Sequence, residues 1–183
     1  GDNFFDLHRK HMEKVAEMLA PVIKSGRGCL GLLDGHHFLF YEDTQMTSTQ
    51  YLCLMLKDMT KRTVPYLGEM SAFVVMHFSH GIGKGVFECS EKLVVHVQHG
   101  EGGAGYISTD MAKLERRTAP SFQADLYLRG HSTKLYAGGY DIILPGPYSR
   151  TKMAERSTDV AHRSVLLVNT GGFMRAYTGI KAS

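Results

Sequence analysis

Three apolar stretches of this chain each run directly into a histidine that neighbours a glycine. Cys29-Leu30-Gly31-Leu32-Leu33 leads into Asp34-Gly35-His36-His37, Leu93 to Gln98 leads into His99-Gly100, and Ala124 to Arg129 leads into Gly130-His131-Ser132-Thr133. Imidazoles joined by a carboxylate suit Zn²⁺, Mn²⁺, Fe and Ni²⁺ and argue against Ca²⁺ or a thiolate cluster. The neighbouring glycines let the backbone turn close to a ligand. His36, His37, His99 and His131 are therefore the candidate site residues, and Asp2, beside Gly1, is the candidate carboxylate. Ligands spread this widely exclude a zinc finger, whose ligands come in tight pairs. The other histidines, His8, His11, His77, His80, His96 and His162, read as solvated or core side chains. His96, on the stretch ahead of His99, is also a candidate to orient a metal-bound imidazole.

Short uncharged runs bounded by glycine suit strands buried on both faces. In open α/β sheets, ligands gather where loops leave the C-terminal ends of such strands. Other segments supply the frame. Val15, Met18, Leu19, Val22 and Ile23 recur at helical spacing within an amphipathic helix over 7–24, which Pro21 should kink or end early. Hydroxyls from Thr44 to Thr49 can cap a second helix running to about Asp58. Met70 to Phe78 reads as a strand. Gly81-Ile82-Gly83-Lys84-Gly85 lacks the spacing of a phosphate loop and reads as a hairpin turn. Ser108-Thr109-Asp110 precedes a basic helix near Met111 to Thr118, and Arg163 to Asn169 is a late strand. Leu135 to Tyr140 and Asp141 to Leu144 suggest paired strands joined near Gly138-Gly139. Strands alternating with helices, then returning close together, indicate a mixed sheet in the α/β class.

Length and composition set the outer limits. At 183 residues, 43% hydrophobic and 21% charged, the chain fits one globular domain spanning 1–183. A net charge of +3 without a Lys/Arg run permits nucleic acid as a partner but does not indicate it. Three widely spaced cysteines, Cys29, Cys53 and Cys89, read as reduced thiols of a cytoplasmic protein. No run approaches the roughly 18 apolar residues of a membrane span. Opening on Gly1-Asp2-Asn3, the sequence reads as a fragment truncated at its N-terminus, with upstream strands missing.

Gly1-Asp2, Asp34-Gly35-His36-His37, His99-Gly100 and Gly130-His131-Ser132-Thr133, taken in order, resemble successive blocks of the calcineurin-like metallophosphoesterase superfamily. The likeness covers Gly1 to about Gly139 and is specific through order and spacing rather than through any one block. It implies a four-layer α/β/β/α sandwich of two mixed sheets. Asp2 would match the carboxylate bridging two metal ions, and His36, His99 and His131 would match further metal ligands. His37 would match the histidine that contacts the phosphate and assists the leaving group. The implied activity is hydrolysis of a phosphate ester, preferably a phosphodiester and nucleic acid included, by hydroxide shared between two divalent ions such as Mn, Zn or Fe. Lys134, Arg129, Arg116 and Arg117 are candidates to hold phosphate, with a solvated surface role as the alternative. The family's leading Asp-x-His block is absent, Thr133 replaces a second histidine, and His36 stands where the family has asparagine. A catalytically inactive binding or scaffold protein of the same fold is the competing reading. A mononuclear hydrolase of a non-phosphate substrate is the third.

Overall fold

Asn3 starts the first helix by accepting the Asp6 N–H through its side chain at 3.0 Å, which satisfies one of the otherwise orphaned first-turn donors. In the computed structural model, which describes residues 3–78, 81–82, 85–86, 91–100, 107–132, 134–145 and 160–170, this helix is α1, Phe4–Val22. Pro21 does not end it. The chain instead widens into a π-type turn, Ile23–Arg27, and breaks at Gly26, whose φ of +83° an L side chain rarely adopts. By contacts the molecule divides into two compact units, Gly1–Ala72 and Phe73–Ser183.

In the first unit a short antiparallel pair, β1 (Phe40–Tyr41) and β2 (Met46–Thr47), feeds α2, Ser48–Thr60. The Thr47 hydroxyl accepts the Gln50 N–H, and the Gln50 side chain accepts the Thr47 N–H in return, a reciprocal cap that fixes where the helix begins. Ala16, Ala20 and Ile23 pack with Leu52, Cys53, Leu56 and Val64 to form the core. The small alanines let the two helices approach, and burying Leu56 completely contributes roughly 1.5–3 kcal/mol. The expected strand over Cys29 to Leu33 forms only one parallel bridge, Leu32 to Tyr66, with Leu30 58% exposed. Gly28 at φ +72° and Gly31 at φ +150° turn the backbone out of a regular ladder, and a side chain at Gly31 would collide with Leu67.

The second unit is built on a five-stranded mixed sheet, so the fold is α/β. Its strands are β3 (Ser71–Phe78), β6 (Glu91–Gln98), β7 (Leu126–Arg129), β8 (Leu135–Pro145) and β9 (Val160–Thr170), in the order β3-β6-β7-β9-β8. Between β3 and β6, β4 (Gly81–Ile82) and β5 (Gly85–Val86) form the expected hairpin. From β6 the chain crosses to β7 through α3 (Ile107–Lys113), a π-type turn (Leu114–Thr118) and the short α4 (Ala119–Ser121). β6 pairs with β7 and β7 with β9 in parallel, whereas β8 returns antiparallel to β9. Leu135 to Leu144, expected as two strands, is one continuous strand. Gly138 serves packing rather than turning, because the Tyr136 ring occupies the space its Cβ would take. Met111, Leu114 and Ala119 cover Tyr127, Val165 and Leu167. The fully buried Tyr127 hydroxyl accepts the Ala124 N–H and donates to the Phe122 carbonyl, so the crossover is tied to the sheet. Among the described residues, no helix is long and apolar enough to cross a membrane.

Candidate metal centre

Parallel pairing brings the C-terminal ends of β6, β7 and β9 into line, since Gln98 lies opposite Arg129 and Arg129 opposite Asn169. The chain leaves each strand at that rim. Gly130 N–H donates to the Gln98 carbonyl at 3.1 Å, and the Thr170 hydroxyl donates to the Arg129 carbonyl at 3.2 Å. His99-Gly100 and Gly130-His131 therefore emerge side by side, as the glycine-flanked pattern predicts. Gly100 holds φ +86°, and a Cβ there would lie 2.7 Å from the Gly130 carbonyl. Only glycine fits so close a crossing.

His131 itself adopts φ +56°, uncommon outside glycine though histidine is among the more tolerant residues. Such a backbone costs roughly 1–2 kcal/mol, and strain of this kind concentrates where function needs a fixed direction. Its consequence is the pairing of two imidazoles. The His99 and His131 ring centroids lie 4.7 Å apart with 37° between the planes, and their ring nitrogens approach within 4.8 Å. Two nitrogens bound tetrahedrally at about 2.0–2.1 Å sit about 3.3 Å apart, so small side-chain rotations suffice for one first-row ion. His99 is half-buried and His131 exposed, which gives one anchored ligand and one reachable from solvent. Two imidazoles fit such an ion but do not complete its shell.

Register also reveals a polar row that sequence reading missed. Gln98, Arg129 and Asn169 are neighbours across three strands and share one face, above His96, Tyr127 and Leu167. Arg129 is 2% exposed and Asn169 completely buried, with both Asn169 amide atoms lacking a hydrogen-bond partner among the described residues. A buried polar group left so costs roughly 1–3 kcal/mol and calls for a ligand or water. The available signal was that three apolar strands each end on an inward polar residue.

The remaining candidates sort by unit. His36 and His37 share the exposed turn of the first unit after Gly35, with rings 3.8 Å apart. Asp34 beneath them is fully buried, accepting the Thr47 hydroxyl at 3.2 Å and the Tyr66 hydroxyl at 2.6 Å. Burial and that carboxylate push the Tyr66 phenol up to about 12, so it stays a donor. Asp34 thus anchors the turn that carries both histidines. His96 is a core residue stacked on Phe122 at 4.5 Å and edge-on to Phe73, so its ring neighbours are aromatic rather than metal ligands. Cys29 and Cys53 are free thiols. Asp2, Thr133 and Cys89 lie outside the described residues. Comparison with protein-family models, curated proteins and solved structures finds no match to this chain.

Proposed function

We propose that the protein is a divalent-metal-dependent phosphoesterase that hydrolyses a phosphodiester, and that His99 and His131 hold a transition-metal ion. The observation that carries this reading is the imidazole pair at the rim of three parallel strands, held in part by the left-handed backbone of His131. Zn²⁺, Mn²⁺ and Fe accept such ligands. The metallophosphoesterase resemblance assigns Asp2 and His36 to the same ligand set and adds a second ion. These assignments rest on sequence alone, as do the four-layer sandwich and a cytoplasmic setting for the reduced cysteines.

A bound divalent cation would supply Lewis acidity and bring the pKa of water close to neutrality. His99 and His131 would each hold that cation through a ring-nitrogen lone pair. The same resemblance assigns His37 to offer a proton or hydrogen bond to the departing oxygen.

Metal content and turnover test the assignment together. Full-length protein should hold close to two transition-metal ions, as the resemblance implies, and hydrolyse bis(p-nitrophenyl) phosphate with added Mn²⁺. His99→Ala or His131→Ala should lower metal content and reduce turnover about 100-fold or more. His37→Ala should reduce turnover with metal content unchanged. Metal content of zero or one without turnover would instead favour the inactive scaffold.

A further inference from the structure

Along α2 of the first unit, Gln50, Cys53, Leu54 and Lys57 stand at positions i, i+3, i+4 and i+7 and so share one helix face. A groove of about 410 Å³ runs over that face, with Gln45, Met46 and Val64 completing its described lining. We propose that this groove binds a small apolar carboxylic acid, its apolar body laid over Cys53 and Leu54 and its carboxylate paired with Lys57. Neither the metal centre nor the phosphoesterase reading bears on this groove.

The local fold shapes the floor. The Thr47 and Tyr66 hydroxyls both donate to the Asp34 carboxylate, which brings the segment after α2 back to the start of that helix. Val64, two residues before Tyr66, is thereby packed with Cys53 in the buried core of the unit. The floor is therefore preformed. Burial pushes the Cys53 thiol up to about 11, so at neutral pH it is an uncharged, apolar contact. Leu54, 42% exposed, and the half-buried Met46 extend the apolar surface. Water is released when an apolar body covers such a surface, and the flexible Met46 thioether adapts to its outline.

Charge selects the head group. Lys57 is the one charged residue of the described lining, and it has no ion-pair partner among the described residues. It is exposed, so a carboxylate paired with it keeps part of its hydration. Gln50 lies seven residues earlier, roughly 10 Å along the helix at about 1.5 Å per residue. Its Oε1 accepts the Thr47 N–H at 2.8 Å, and Gln45 Nε2 donates to the Glu42 carbonyl at 2.7 Å, so these amides form a neutral polar end opposite Lys57. One cation at one end of an apolar groove suits a monoanion with an apolar body. A phosphate monoester would bring about two charges to a single partner, and Lys57 would repel an ammonium. Size agrees, because 410 Å³ falls within the roughly 300–1,000 Å³ of sites that hold whole small molecules.

Titration calorimetry of the full chain in EDTA, with octanoate as the probe, tests the site apart from any metal. One saturable binding event is expected, weakened about tenfold in Lys57→Glu and in Leu54→Gln and unchanged in Lys14→Glu, a control on the exposed side of α1. All three positions are exposed, and circular dichroism checks that each variant is folded. Octanol should bind several-fold more weakly than octanoate, and octylammonium should not bind. The Met46 methyl resonance should shift in step with saturation. No saturable binding, binding indifferent to Lys57→Glu, or a Met46 methyl that does not move would overturn the site. Octanol or octylammonium binding as tightly as octanoate would overturn the assignment of an acid.

Discussion

The two ends of the parallel strands β6, β7 and β9 are built on opposite terms. At the entry end, Asp125 exchanges backbone and side-chain hydrogen bonds with Val94, its carbonyl accepts the Leu166 N–H, and Arg163 pairs with its carboxylate at 2.5 Å. Burial raises the Asp125 carboxyl pKa, but the Val94 N–H and Arg163 outweigh it and hold the group below its usual range. One residue therefore laces three strands with its polar groups engaged. At the exit end, His131 is bent into a left-handed backbone, Gly100 sits where no side chain fits, and the Asn169 amide is buried without a hydrogen-bond partner among the described residues. The entry end stabilises the sheet, whereas the exit end tolerates strain and unanswered polarity. Sites that bind ligands carry such costs, offset by the packing around them.

Substitutions at the two ends should separate stability from binding. Gly100→Ala, forced to hold φ +86° with its methyl against the Gly130 carbonyl, should cost about 2–4 kcal/mol in urea unfolding and abolish metal uptake. A loss below 1 kcal/mol would show that the crossing is loose. Asp125→Ala should cost about 2 kcal/mol, a value discounted because the side chain is 30% exposed, and leave metal affinity unchanged. Asn169→Leu reverses the sign. Replacing that amide by an apolar group of similar size should stabilise by about 1 kcal/mol. Destabilisation there would mean that the amide is satisfied by ordered water.

The smallest expected effect lies one row inward. Burial among Phe73, Phe122 and Tyr127 lowers the His96 pKa below its usual 6.5, so folding favours the neutral ring. Its contribution is fully present above pH 6.5 and is lost as pH falls through that value, levelling off below the folded-state pKa. Stability followed by thermal unfolding from pH 7.5 to 5 should therefore decline as pH falls below 6.5. His96→Phe should flatten that part of the slope.

What could be read from the sequence was local. The hydroxyls of Thr44 to Thr49 announced a helix start because capping is a local interaction, and Thr47 is the one that supplies it. His99-Gly100 and Gly130-His131 announced the rim because each closes a short apolar run. Cys29 to Leu33 misled for the same reason: its composition suits a buried strand, but Gly28 and Gly31 take dihedrals that a composition reading cannot see. Gly138-Gly139 resembled a turn until the Tyr136 ring explained the need for a missing side chain. The row of Gln98, Arg129 and Asn169 stayed hidden because it exists only in register, across strands separated by about thirty to forty residues.

X-ray absorption at the metal edge of the Zn²⁺-loaded full chain tests the shared cation most directly. Scattering from at least two imidazoles should appear, and His99→Ala and His131→Ala should each remove one. An unaltered spectrum and unaltered metal content in both variants would contradict the proposed centre.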